Sequence, residues 1–372
     1  MAVTEQTVQL SPETVARIQQ ELRAHDVDGW LLYNFRGNNG VAGNLLGLPA
    51  LTRRYFVWIP VDGKPVAITH RIEQQPWTGW IGDNWPYSSW RELESRLGQL
   101  LSGNPRVAME YAPGDAVPYV DTVPAGVIEL IRATGAEPVT SGDLVSAFYA
   151  RWSEEGLAGH RRAAKHVYEV AHEAFRRIAA AIREGRGTAE WEVRQWIIGE
   201  FARRGITVGG DAIVAVNANA ANPHYAPSAD HHSEIRRGDL VLIDLWGKED
   251  EGAIYADQTW MGFVGESVPE RLAEIFAAVR DARLAAIDLI RRRWDAGEDV
   301  AGWEADDASR NVIVERGWGE AFIHRTGHSI DRELHGSGPN IDNLETQDTR
   351  TLIRGIGFSI EPGIYIPGDV GF

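Results

Sequence analysis

Asp244 and Asp257 close two apolar runs in VLIDLWGKEDEGAIYADQTW, one at 240–243 and one that follows the polar turn 248–252. Apolar runs joined by a short polar turn read as a β-hairpin. That form sets the two carboxylates at matching depths on neighbouring strands. Inward-facing carboxylates repel and are costly to desolvate unless a proton or a cation lies between them. From the pair alone, a metal site and two solvated strand-end carboxylates both stay open. Downstream, FIHRTGHSIDRELHGSGP carries His324, His328 and His335, and GFSIEPGIYIPG places Glu361 at the end of an apolar run. Upstream, NANAANPHYAP holds His224 in a loop of small residues and asparagines shortly before the Asp244 strand. Two aspartates, one histidine and one glutamate make an oxygen-rich set with a single imidazole. Such a set suits manganese, iron or cobalt better than a thiolate-type zinc site.

Elements of two kinds surround these residues. From 1 to about 150 the pattern alternates: an amphipathic helix over 11–26, strands at 29–33, 55–60 and 65–69, a helix at 90–101, a strand at 106–110 and a helix near 127–134. This reads as a self-contained α/β domain. Its Trp77, Trp80, Trp85 and Trp90 stand among prolines and glycines and read as a loop whose aromatics pack or meet another subunit. Near 151–156 the pattern changes to long helices. Helices are expected at 159–183, from Thr188 as cap to about 204, at 268–293 and at 300–316, with a strand at 209–216. In the third of these helices, Leu272, Ile275, Phe276 and Val279 form the expected buried stripe.

Composition narrows the chemistry. A chain of 372 residues with 44% hydrophobic content can bury a large core. A formal charge of -16 argues against nucleic acid and anionic membranes as partners. The absence of cysteine removes disulfides, thiolate ligands and a cysteine nucleophile together. With no signal-like N-terminus and no apolar run of membrane length, the expected compartment is the cytoplasm.

The stretches IDLWGK with ADQTW, HRTGHSIDRELH and IEPGIY resemble the pita-bread metallopeptidases (M24), the family of prolidase, aminopeptidase P, methionine aminopeptidase and creatinase, over residues 155–372. With an α/β domain over 1–150 ahead of an α+β pita-bread domain, the chain is similar to the prolidase, aminopeptidase P and creatinase branch. The resemblance implies two divalent metal ions, Mn2+ first, with Co2+, Zn2+ or Fe2+ as alternatives. It implies Asp244 as a terminal ligand, Asp257 as a bridging one, His328 as the imidazole ligand and Glu361 as a carboxylate ligand that also relays a proton. His224 and His335 would contact the substrate, and His324 would be structural. The implied activity is hydrolysis of Xaa-Pro bonds in short proline-containing peptides, by a dipeptidase or an aminopeptidase working as a homodimer. Arg332, Arg350 and Arg354 are candidates to hold a dipeptide's carboxylate. Trp246 stands where many relatives carry a smaller residue, which reads as a reshaped pocket or as core filling. A creatinase-like or other small-molecule hydrolase or lyase, and a non-catalytic peptide- or protein-binding homologue, are the alternatives. One departure stands out. The family's last strand, whose GxR-x-E pattern supplies a bridging glutamate, would begin at Gly371 and Phe372, so the pattern is that of a truncated sequence.

Overall fold

The computed structural model describes residues 8–206 and 211–372. The chain divides into two compact units, the second running from Arg151 to Phe372.

In the first unit, helix α1 (Pro12–Ala24) opens under Ser11, whose side chain accepts from the Thr14 amide, and buries Val15, Ile18 and Leu22. Strand β1 (Gly29–Asn34), helix α2 (Gly40–Leu46), strands β2 (Tyr55–Pro60), β3 (Val66–His70) and β4 (Asp83–Tyr87), helix α3 (Trp90–Leu100), strand β5 (Arg106–Met109), helix α4 (Ala125–Arg132), strand β6 (Glu137–Thr140) and helix α5 (Gly142–Phe148) follow. The strands form one sheet in the order β4-β3-β2-β1-β5-β6. Every residue of β1 is buried, as expected of a continuous apolar run covered on both faces. The tryptophan-rich segment is not wholly a loop: Trp85 and Pro86 lie on β4. That strand is the sheet edge, where a proline's missing donor costs no ladder bond.

The second unit begins with helix α6 (Glu154–Arg183), capped by Ser153, ahead of the expected start at 159. Helix α7 (Glu190–Arg203) has Ala189 at its cap position; Thr188 is no cap, since its hydroxyl bonds Glu192 instead. Strands β7 (Ala212–Val216), β8 (Leu240–Gly247) and β9 (Ala256–Phe263) make an antiparallel sheet in that order. Of the expected strand at 209–216, Gly209 and Gly210 lie outside the described residues. Val167, Val170 and Ala174 of α6 pack with Val241, Ile243 and Leu245 of β8 in one core. Helices α8 (Glu270–Ala296) and α9 (Gly302–Glu315) follow, then the short strands β10 (Ser329–Ile330), β11 (Gly357–Phe358), β12 (Tyr365–Ile366) and β13 (Val370–Gly371). Helix α8 buries Ile275, Ala278, Ala282 and Ala286, while Phe276, expected inside, is 44% exposed. Alanines let α8 pack closely, so the large ring was not needed to fill that face. Among the described residues no helix is long and apolar enough to cross a membrane.

Candidate metal centre

Strands β8 and β9 form the hairpin that the sequence calls for, but its register offsets the two aspartates. Asp244 faces Thr259, and Asp257 faces Trp246. Because side chains alternate in a strand, both carboxylates still share one face of the sheet, as diagonal rather than direct neighbours. The Thr259 hydroxyl donates to Asp244 Oδ1 at 2.9 Å. Lys248 is not a solvated turn residue. It is buried, donates to the carbonyls of Glu251 (3.1 Å) and Arg332 (2.6 Å), and lies over the Tyr255 ring at 4.5 Å. Its ammonium thereby ties the hairpin turn to the segment that carries His335.

His328 and Glu361 are brought together by a backbone zip. The Glu361 amide donates to the Thr326 carbonyl (2.8 Å), the Ser359 amide to the His328 carbonyl (2.9 Å), and β10 pairs with β11 through Ser329 and Phe358. Gly327 makes the approach possible: a Cβ there would fall 2.0 Å from the Ser359 carbonyl oxygen. Only glycine fits in HRTGH at that point. Ser359 also donates to Glu361 Oε1 at 2.8 Å.

Donor atoms of Asp257, His328 and Glu361 converge within 4.8 Å of one another. His328 Nδ1 is 3.0 Å from the Ser329 carbonyl, which can only accept, so this nitrogen carries a proton. Nε2 is then turned to Glu361 Oε1 at 3.2 Å and Asp257 Oδ2 at 3.4 Å. A lone pair facing two carboxylates calls for a proton or a cation between them. The titration behaviour agrees. Burial, then Asp257 and Glu361, push the Asp244 carboxyl well above the usual range. Burial opposes the charged form of His328, but Asp257 and Glu361 outweigh it and its pKa rises. Glu361 is raised by burial, against the pull of His328, with Asp257 adding. Carboxylates gathered around one imidazole are the environment a divalent cation relieves. The residues present therefore fit such an ion.

The two outer histidines differ. His335 stacks edge-on against His328 with ring centroids 4.3 Å apart, and desolvation followed by the His328 charge lowers its pKa to about 4, so it is neutral near pH 7. His224 is exposed on the loop after β7. His324 lies outside the trio. Its Nδ1 donates to the Arg325 carbonyl at 2.6 Å, so Nε2 accepts from the Tyr365 hydroxyl at 2.8 Å, bracing HRTGH against EPGIY. Arg350 cannot serve as a carboxylate anchor. It is buried and committed to Asp348 at 2.6 Å and to the carbonyls of Ser337 (2.6 Å) and Gly338 (2.8 Å). Arg354 lies over Trp294 at 5.1 Å, and Arg332 is exposed. Trp246 packs with Ile254, Tyr255, Ile330 and Leu334 beside Asp257. Sequence reasoning passed over Thr259, two residues from Asp257 on the same face of β9, and Ser359, two residues before Glu361. For Thr259 the period-2 rule carried that signal.

Hairpin, zip and the Asp257, His328 and Glu361 cluster together have the fold of a pita-bread metallopeptidase preceded by an α/β domain. The model described as metallopeptidase family M24 matches residues 162–372, and the chain belongs to that family. Over 161 residues it is 39% identical to the Xaa-Pro dipeptidase of Lactobacillus delbrueckii subsp. lactis, covering 43% of this chain and 39% of that protein. Over 318 residues it is 29% identical to the probable dipeptidase PepE of Mycobacterium bovis, covering 84% of this chain and 77% of that one. The crystal structure of dipeptidase PepE from Mycobacterium ulcerans superposes with a TM-score of 0.67 at 22% identity, covering 96% of this chain and 89% of that one.

Proposed function

We propose that the protein hydrolyses Xaa-Pro bonds in short peptides, with two divalent ions held by Asp244, Asp257, His328 and Glu361, manganese being the first choice of metal. The observation that carries this reading is His328 Nε2 lodged between Asp257 and Glu361, with Asp244 on the same sheet face. When bound, such ions lower the pKa of a shared water to near neutrality and polarise the carbonyl under attack. The chain's own groups supply the rest. Glu361, steadied by Ser359, takes the proton of the attacking water and returns it to the proline nitrogen, which must be protonated to leave. His335, kept neutral by its surroundings, and His224 at the rim donate to the oxygen that gains charge. Trp246 and Leu334 offer an apolar wall beside Asp257. The relatives named as dipeptidases favour a dipeptide substrate. A homodimer and a cytoplasmic location belong to the same proposal and rest on the sequence reading.

Metal content per chain after dialysis, measured with hydrolysis of Ala-Pro and Ala-Pro-Ala with and without added manganese, tests it. Bound metal with cleavage of Ala-Pro supports a dipeptidase, and preference for the tripeptide moves the assignment to an aminopeptidase. Tight metal binding without cleavage of either peptide favours a small-molecule hydrolase. Neither metal nor cleavage overturns the reading.

A further inference from the structure

Glu190, the first residue of α7, is fully buried and belongs to none of the metal-facing segments. Its carboxylate meets donors only. Oε1 accepts from the Val216 amide at 2.7 Å and Asn219 Nδ2 at 2.9 Å; Oε2 accepts from the Tyr225 hydroxyl at 2.7 Å and the Ser233 amide at 2.6 Å. The Glu190 amide in turn donates to the Ser233 carbonyl at 3.0 Å. These partners lie on both sides of His224: Val216 and Asn219 before it, Tyr225 and Ser233 after it. Tyr225, the very next residue, is buried with Ala215, Ala220 and Leu242, so its ring cannot swing. The His224 amide is fixed by Asn222 Oδ1 at 3.1 Å, while its side chain stays exposed.

We propose that Glu190 is a positioning residue for His224: one buried carboxylate clamps both legs of the loop 216–233 and so sets where the imidazole stands at the rim of the site. The inference rests on the reading in which His224 contacts the substrate. An acceptor-only group suits this place because an amide would turn a donor toward donors. Burial and the neighbouring Glu190 raise the Tyr225 pKa, so its hydroxyl keeps the proton it donates.

The test uses the manganese-loaded full chain, Ala-Pro as substrate, and the variants Glu190→Gln, Tyr225→Phe, His224→Ala and their double combinations. Glu190→Gln is expected to lower kcat about ten-fold, and Tyr225→Phe about three-fold, at unchanged metal content. Neither should reduce activity further in the His224→Ala background. Losses that simply multiply in that background overturn the inference while leaving the peptidase reading intact. Amide hydrogen exchange over 217–232 reads the clamp without catalysis. Faster exchange there in both variants, with 240–263 unchanged, supports it, and unchanged exchange overturns it. Full activity in His224→Ala, or no cleavage by the wild type, would defeat the functional reading and leave exchange to decide the clamp.

Discussion

Glu110 in the first unit and the metal-facing acids in the second are held in opposite ways. In the first, Glu110 is fully buried and surrounded by donors: Trp30 Nε1 at 2.6 Å, Asn39 Nδ2 at 2.6 Å and Ser141 Oγ at 3.1 Å. In the second, Asp257 and Glu361 close on one imidazole with Asp244 alongside, and the side-chain hydroxyls of Thr259 and Ser359 each reach one oxygen. Glu110 is satisfied by its own fold. The metal-facing acids are arranged so that the fold leaves them short of positive charge. The contrast separates a carboxylate that holds structure together from a set kept for a ligand, and it does so by counting donors rather than burial.

The sharpest way to break this contrast is to remove an acid from the trio. Asp257→Ala or Glu361→Ala is expected to lower Ala-Pro hydrolysis by about a thousand-fold or more, with loss of metal measured by elemental analysis. Retained metal and activity would show that the cluster is only structural. Stripping metal with a chelator comes next. It should reduce the stability of the second unit by roughly 4 kcal/mol if the ion had been present at about 1,000 times its Kd, seen as a lowered melting temperature. In the first unit, Glu110→Ala leaves three donors unpaired and should cost on the order of 3 kcal/mol in urea unfolding, with metal content per folded chain unchanged. Thr259→Val removes the hydroxyl on Asp244 and should weaken metal binding about ten-fold, read by competition with a chelating dye.

The smallest effect is one of pH. Burial, against the pull of Asn39, Trp30 and Ser141, raises the pKa of Glu110. A raised carboxyl contributes stability that is fully present below its unfolded value, near 4.3, and is lost as pH rises through the folded value. The wild type should therefore lose stability relative to Glu110→Gln as pH climbs from about 4 to 8 in tryptophan-monitored urea melts. A difference that stays flat or runs the other way would show that the three donors outweigh burial and hold Glu110 in its charged form.

Much of the site was legible because it sits on periodic elements. The apolar runs before Asp244 and Asp257 announced a hairpin, which β8 and β9 form. What a one-dimensional pattern could not carry was register. Asp244 lies opposite Thr259 rather than beside Asp257, and nothing in the turn 248–252 states that offset. Lys248 was hidden for a related reason: its partners are backbone carbonyls, one of them on Arg332, far along the chain. Glu190 gave no signal at all, because its value lies in four donors scattered from Val216 to Ser233. In the first unit, the continuous apolar strand β1 was plain, whereas β4 was masked by Pro86, a residue that speaks against a strand until the edge position is known.

The zip between HRTGH and SIEP has a consequence for how the chain reaches its native state. Asp257, His328 and Glu361 come from three separated stretches, and the ladder joining the last two closes a loop that includes His335 and Arg350. Closing such loops costs chain entropy before any contact repays it. The helices and the β8–β9 hairpin can form from local contacts, so the cation-binding arrangement is expected to assemble after them. Refolding followed by a metal-sensitive dye should lag behind recovery of helical signal, and adding manganese at the start should slow unfolding more than it speeds folding.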